Sequence, residues 1–249
     1  MARLSLTGVC VDFPIYHASA RSMRRFALHG ALGQRLRTAG RRTSLTALAD
    51  IDLELRDGDR LALTGANGSG KSTLLRTMAG VYAPRAGTVV RVGRCTPLLA
   101  PGTGIDQAAT GLDNIFLIGM HQGIPPREMR PLVDEIVEWT ELGAFIGAPL
   151  RTYSAGMMLR LAFAISTAVP PDILLMDEWF GVADADFRMK AYERMSGFVE
   201  RTSMLVLASH AAELLEIWCN RAVRLDSGRI VAEGRVGEIL GRAPRAGSA

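Results

Sequence analysis

The chain is predicted to adopt an α/β fold, a mixed β-sheet core with helices and an inserted α-helical subdomain. Three observations predict it. Residues 60–79 read as a strand, a glycine-rich loop and a helix in direct succession. Ile173-Leu174-Leu175-Met176 and Met204-Leu205-Val206-Leu207-Ala208 are short, wholly apolar runs, the pattern of strands buried on both faces of a parallel sheet. Between these landmarks, residues from about 104 to 168 carry mostly helical periodicity, as an insertion between core strands would.

The elements follow in order. Residues 3–13 alternate apolar and polar and form a first strand. Residues 17–43 carry Arg21, Arg24, Arg25, Arg35, Arg37, Arg41 and Arg42 and no acidic residue. Met23, Phe26, Ala27 and Leu28 recur there at near-helical spacing, so part of this basic insertion reads as an amphipathic helix; the stretch is either a solvated arginine-rich face or one lying against lipid phosphates or the pyrophosphate of a carried glycan. Residues 48–56 read as another strand, and Asp57-Gly58-Asp59 as the turn into the next. Gly80 to Gly87 is a turn-rich exit from the helix, followed by a strand over Thr88–Val92. In the helical stretch, Ile124-Pro125-Pro126-Arg127-Glu128 interrupts the pattern, and Val133, Ile136, Val137 and Leu142 form a stripe. From Arg242 the tail is small and polar. The whole of 1–249 is expected to be one domain, with a core of about 1–100 and 169–240 and a helical subdomain of about 104–168.

Composition narrows the possible classes. No run approaches the ~20 apolar residues that a membrane-spanning helix needs, so any transport role requires a separate membrane partner. Cys10, Cys95 and Cys219 are widely spaced and form no ligand or redox motif. A net charge of +4 and a pI near 9.3 are compatible with nucleic acid, anionic lipid or a phosphorylated substrate and do not choose among them.

The chemistry begins at Gly65-Ala66-Asn67-Gly68-Ser69-Gly70-Lys71-Ser72-Thr73, a complete G-x-x-x-x-G-K-[ST] phosphate-binding loop in strand–loop–helix context. Its glycines let backbone N–H groups turn inward on a phosphate, and the helix N-terminus adds partial positive charge. Lys71 can reach the β- and γ-phosphates of ATP, and the Ser72 hydroxyl can ligate Mg²⁺. The chain has two lysines, Lys71 and Lys190, against 27 arginines, so a compact ammonium stands where phosphate chemistry asks for one. The strand at Ile173 ends in Asp177-Glu178. At the carboxyl end of a buried parallel strand, Asp177 suits a second Mg²⁺ ligand and Glu178 a general base for the attacking water.

Between these motifs, Arg151-Thr152-Tyr153-Ser154-Ala155-Gly156-Met157 opens a helix. By its residue type alone Ser154 is a helix N-cap. The segment also resembles the signature of the ATP-binding cassette (ABC) family, with Ala155 in place of a glycine and Met157 in place of a glutamine. The resemblance covers roughly residues 3–240 and implies the P-loop NTPase fold of ABC ATPases. It implies a head-to-tail homodimer in which Ser154 and Gly156 face the γ-phosphate held by the other protomer. It also assigns Asp184 to the dimer seam and His210, in Ala208-Ser209-His210, to the γ-phosphate. Phe13 is its adenine-stacking aromatic, with Tyr16 as second choice.

Val11–Tyr16, Thr110-Gly111-Leu112-Asp113-Asn114-Ile115, Tyr153–Met157 and Asp177–Asp184 are further similar to the branch that exports bacterial surface polysaccharides. That resemblance implies a lipid-linked polysaccharide substrate of O-antigen, capsule or teichoic-acid type. It implies integral membrane permease partners, a position on the cytoplasmic face of the inner membrane, and no nucleic acid partner. ATPases moving another cargo share the same phosphate chemistry. A non-transport ATPase acting on nucleic acid would carry tandem cassettes or coiled-coil heptads, which the sequence lacks. Two departures stand out. Ala100 or Pro101 occupies the place of the family's Mg²⁺- and water-sensing glutamine, with Gln107 several residues too late. With its last residue at 249, the chain is expected to lack the C-terminal carbohydrate-binding domain that some members of the branch carry.

Overall fold

A computed structural model describes residues 1–15, 36–39, 42–99, 104–177 and 185–241. In chain order the described elements are β1 (Arg3–Ile15), β2 (Leu36–Ala39), β3 (Arg42–Arg56), β4 (Arg60–Thr64), α1 (Lys71–Met78), β5 (Ala86–Val92), β6 (Cys95–Leu98), α2 (Gly111–His121), α3 (Pro126–Met129), α4 (Val133–Thr140), α5 (Ala155–Ser166), β7 (Ile173–Asp177), α6 (Ala185–Glu200), β8 (Met204–Ala208), α7 (Ala212–Trp218), β9 (Arg221–Asp226), β10 (Arg229–Arg235) and α8 (Val236–Ile239). The chain divides into two compact units, Met1–Gly93 with Met204–Ala249, and Arg94–Ser203. Strands β6 and β7 and helix α6 thus group with the helical segment, although the sequence reading assigned their residues to the core.

The first unit holds two sheets. One is antiparallel, in the order β2-β3-β1-β5. On β1, Leu4, Leu6, Val9 and Val11 are buried, a spacing that strict alternation cannot produce. The pairing with β3 slips between Leu6 and Val9. Gly8, at φ 58°, makes the irregularity, so both apolar pairs reach the same core. In the other sheet, β4 lies between β8 and β9 and is parallel to both, with Leu61 opposite Val206 and Arg221 and Leu63 opposite Ala208 and Val223. Strand β10 adds antiparallel to β9. Every residue of β8 is buried, as its wholly apolar sequence requires. Leu74, Leu75 and Met78 sink the inner face of α1 completely.

In the second unit, β6 and β7 pair in parallel, with Cys95 opposite Ile173 and Leu98 opposite Met176. The helices enclose a separate core built on Ile115, Ile118, Met129, Ile136, Leu161 and Ile165. The Pro125-Pro126 interruption proves to be a helix start, with Pro126 in the first turn of α3, where a missing N–H costs nothing. Leu142 lies beyond the end of α4, because Glu141 takes a left-handed conformation at φ 58°.

The structure corrects the basic insertion in part. Residues 36–39 form β2, and β3 starts at Arg42, so the end of the 17–43 stretch is sheet. The amphipathic helix expected around Met23–Leu28, with its arginines, lies outside the described residues. All three cysteines are free thiols, and burial pushes Cys219 up to about 12, too high to ionise near neutral pH.

Asn114 organises the start of α2. Its side-chain amide donates to the Asp106 carbonyl at 2.9 Å and the Thr110 carbonyl at 2.8 Å, and its oxygen accepts from the Asp106 N–H at 2.9 Å. Thr110 caps the same helix in a reciprocal box with Asp113. Because Asn114 is fully buried, Asn114→Ala strands several backbone groups at once. It should destabilise the protein by about 2 kcal/mol or more, read as a lowered urea midpoint. Thr110→Ala, which loses only the cap, should cost about 1 kcal/mol.

Candidate nucleotide-binding site

The phosphate loop is built where β4 ends. Parallel pairing of β4 with β8 brings two carboxyl-terminal loops to one edge, the edge where such sheets bind ligands. One is the loop after Thr64; the other carries His210. His210 Nε2 lies 3.0 Å from Asn67 Oδ1, an arrangement suited to an N–H donating to the amide oxygen. Two predicted site residues, distant in sequence, therefore meet.

Within the loop, Lys71 is 8% exposed, and its ammonium donates to the carbonyls of Gly65 at 2.8 Å and Ala66 at 3.2 Å. The charge is thereby aimed into the curve of the loop. The Ser69 N–H donates to the Ala66 carbonyl at 3.1 Å, while the buried Ser69 hydroxyl has no hydrogen-bond partner among the described residues. Helix α1 begins at Lys71 itself, with Gly70 at φ 115° as its cap and no acidic residue in the first turn. Its N-terminal N–H groups and dipole are left for an anion. Ser72 and Thr73 are half-buried in that first turn.

Two glycines answer to close approach rather than to a turn. A Cβ at Gly65 would come within 2.2 Å of the Leu225 carbonyl oxygen, and one at Gly70 would crowd Leu48 and the Ala47 carbonyl at 3.0–3.2 Å. The phosphate loop thus lies directly against β9 and β3. Sequence reasoning missed the residue that locks it there. The Gly228 N–H donates to the Ser69 carbonyl at 2.8 Å, and the Gly228 carbonyl accepts from the Ala49 N–H at 2.9 Å. Gly228 holds φ 80°, and a Cβ there would stand 2.3 Å from the Ala47 oxygen. The available signal was Asp226-Ser227-Gly228, a turn between two alternating runs.

Phe13 is half-buried on β1, opposite Leu45 of β3, two residues along the strand from the Ala47 that borders Gly70. Tyr82 meets it edge-on, with ring centroids 5.0 Å apart. Tyr82 was not foreseen; it follows α1 at a distance that only the folded loop closes. Tyr16 lies outside the described residues.

In the other unit, Asp177 ends β7 half-buried. Glu178, Asp184, Ala100 and Pro101 lie outside the described residues. Gln107 is exposed, and its carbonyl accepts from the Arg151 N–H at 2.9 Å, which ties residue 107 to the segment just before the signature turn. Ser154 is the N-cap of α5, its Oγ accepting from the Met157 N–H at 3.2 Å. Both readings of this serine survive, because a capping hydroxyl keeps its own proton to donate. Gly156 is exposed, and a Cβ there would meet only Ser154 Oγ at 3.8 Å. Among the described residues no contact within the chain demands a glycine at that position.

The wedge at Gly228 yields a test. Gly228→Ala must move β3 or the phosphate loop, so ATP affinity should fall on the order of tenfold or more, while Gly123→Ala, whose Cβ meets nothing within 4 Å, should bind ATP normally. Fluorescent-nucleotide titration of both variants reads the difference.

Comparison with known proteins places this geometry. The ABC transporter family model matches residues 48–181. The chain is 40% identical to the O-antigen export system ATP-binding protein RfbE of Yersinia enterocolitica, over 94% of this chain and 98% of that protein. It is 32% identical to RfbB of Klebsiella pneumoniae, likewise an O-antigen export system ATP-binding protein, over 95% of each. It is 37% identical to the teichoic acids export ATP-binding protein TagH of Bacillus anthracis, over 78% of this chain and 35% of that longer protein. Among solved structures, a post-hydrolysis dimer of the ATP-binding cassette MJ0796 with ADP and Pi aligns over 94% of this chain and 98% of that one, with TM-score 0.66 at 18% identity. An ATP-binding subunit of an ABC transporter aligns over 95% and 91%, with TM-score 0.67 at 19% identity. These likenesses show the ABC ATPase fold. With the phosphate loop in place and a near full-length relative at 40% identity, the chain belongs to the ABC transporter family of ATP-binding proteins.

Proposed function

We propose that this chain is the ATP-binding and ATP-hydrolysing subunit of a transporter that exports a lipid-linked cell-surface polysaccharide, of O-antigen, capsule or teichoic-acid type, across the bacterial inner membrane. The observation that carries the reading is the 40% identity, over 98% of its length, to a protein named for O-antigen export. Among the described residues no helix is long and apolar enough to cross a membrane. The translocation path is therefore assigned to integral membrane permease subunits, which the chain joins peripherally at the cytoplasmic face.

The chemistry follows from the residues. Backbone N–H groups from Gly65 to Thr73 and the α1 N-terminus cradle the β- and γ-phosphates of ATP. Lys71 exchanges its hold on the Gly65 and Ala66 carbonyls for the phosphate oxygens. Phe13, braced by Tyr82, stacks on the adenine. The Ser72 hydroxyl and the Asp177 carboxylate are hard oxygen donors that fit Mg²⁺; when bound, the ion neutralises charge on the phosphates. Glu178 accepts a proton from the attacking water as its oxygen bonds to the γ-phosphorus and the bond to the β-phosphate oxygen breaks, which yields ADP and phosphate. His210, oriented by Asn67, donates toward the γ-phosphate as charge develops there.

Two chains are proposed to face head to tail. Ser154, Gly156 and the α5 N-terminus of one then complete the site on Lys71 of the other, with Asp184 at the seam. Closure on ATP and reopening after hydrolysis would drive the permease.

Three outcomes are expected. Glu178→Gln should stop steady-state hydrolysis while sparing ATP binding, and should trap a dimer visible by size exclusion; near-normal turnover would remove Glu178 from the base role. A mixed dimer with Lys71→Ala in one chain and Ser154→Arg in the other should retain one intact composite site of two. In the native cell, Glu178→Gln should strip the surface polysaccharide and accumulate lipid-linked glycan inside, whereas an unchanged cell surface would reject the export reading.

A further inference from the structure

The second lysine of the chain calls for an explanation as much as the first. Arg is used 27 times, yet position 190 is Lys. Its ammonium, on α6, donates to the Trp139 carbonyl at 2.9 Å and to Glu141 Oε1 at 2.5 Å, and lies 5.1 Å from the centre of the Trp139 ring. The Trp139 carbonyl belongs to the last turn of α4, where a cation complements both the free carbonyls and the helix dipole. A compact ammonium serves all three contacts from one point, which a planar guanidinium cannot do.

Glu141 is unusual in its own right. It ends α4 in the left-handed region at φ 58°, a position that favours glycine. Its two oxygens face different helices: Oε1 takes Lys190 of α6, and Oε2 lies 3.4 Å from Arg160 of α5. The hydrogen bond from Lys190 holds the Glu141 carboxyl below its usual range. The side chain is nonetheless largely exposed, and exposed ion pairs add little to stability. A strained backbone that secures little stability points to geometry as its use. The neighbourhood is closely packed. Trp139 stacks on Phe163 of α5 at 5.2 Å, and Phe187 of α6 meets both rings edge-on. Arg194 of α6 pairs with Glu135 at 3.1 Å and donates to the Thr167 hydroxyl at 2.8 Å.

The two clamped helices carry two parts of the site. Helix α5 starts at the signature turn, and Arg160 stands six residues after Ser154; helix α6 starts one residue after Asp184. We propose that Glu141, bracketed by Lys190 and Arg160, is a positioning residue that fixes the aim of the signature turn relative to α6, the helix that follows Asp184 in the chain. The inference rests on the reading that Ser154 and Gly156 complete the partner's ATP site.

Glu141→Gly separates positioning from stability, because glycine relieves the left-handed backbone while it removes both ion pairs. In the purified full-length chain, Glu141→Gly and Lys190→Met should each lower kcat on the order of tenfold, the scale of a small misplacement. Introduced into Glu178→Gln protein, each should lower the ATP-trapped dimer fraction, with monomer affinity for fluorescent ATP unchanged. The melting temperature of Glu141→Gly should hold or rise. The double variant should be no worse than either single variant. Wild-type kcat in Glu141→Gly, or a loss of kcat that tracks a loss of melting temperature, overturns the proposal. Ser154→Arg serves as the reference: if it leaves hydrolysis intact, the signature reading itself fails, whereas loss of activity there with wild-type kcat in Glu141→Gly rejects the clamp alone.

Discussion

The Gly228 backbone joins the phosphate loop to the sheet behind it, and the rest of the site depends on that join. A loop whose glycines hold φ values of 134°, 78° and 115° at positions 65, 68 and 70 has little conformational preference of its own. It gains definition from outside: from the Gly228 N–H on the Ser69 carbonyl, from the Ala49 N–H on Gly228, and from Leu225 and Ala47 packed where a Cβ would otherwise be. A loop fixed this way can present inward N–H groups to a phosphate without first having to be ordered by it, which lowers the entropic cost of binding. The same backing accounts for Phe13, since β1 is held on β3 and β3 borders Gly70.

The helical unit solves a different problem. Ser154, Ala155 and Gly156 at the start of α5 are exposed, as the proposed role in a partner's ATP site requires. Order is supplied from further along. Leu161 to Ile165 are buried in α5, the Trp139–Phe163–Phe187 cluster locks three helices, and the 107–110 segment pairs with 149–151 through the Gln107 and Ala109 carbonyls. An exposed turn on a helix packed this way would, under the proposed head-to-tail pairing, meet an approaching partner as a preformed surface.

What was legible in the sequence, and what was not, divides along contact range. The phosphate loop is an eight-residue motif whose strand and helix lie on either side of it, so local pattern sufficed to place Lys71 and Ser72. Strands β7 and β8 were legible because burial on both faces leaves an unbroken apolar run. Strand β6 was missed because Pro97 lies within it, and proline argues against a paired strand; it is tolerated there in a four-residue strand. The β9–β10 hairpin was passed over, and with it Gly228, whose role arises from residues about 160–180 positions earlier in the chain. Tyr82 escaped for the same reason. The bulge at Gly8 preserved the first strand while shifting its inner face, which the expected 3–13 alternation did not anticipate. The signature serine illustrates the opposite limit: residue chemistry gave a helix cap, the structure contains that cap, and only the family resemblance supplied a second use for it.

The claim on which this account turns is that one chain's phosphate loop and the other chain's signature turn close on the same ATP. Site-directed cross-linking tests it most directly. In a protein cleared of Cys10, Cys95 and Cys219 and carrying Glu178→Gln, cysteines introduced as Ala66→Cys, at an exposed loop position without a left-handed backbone, in one chain and Ser154→Cys in another should be joined by a short bismaleimide into a covalent dimer when ATP is present, and scarcely at all with ADP. A cross-link that forms only within a chain, or to the same extent without ATP, would contradict the account.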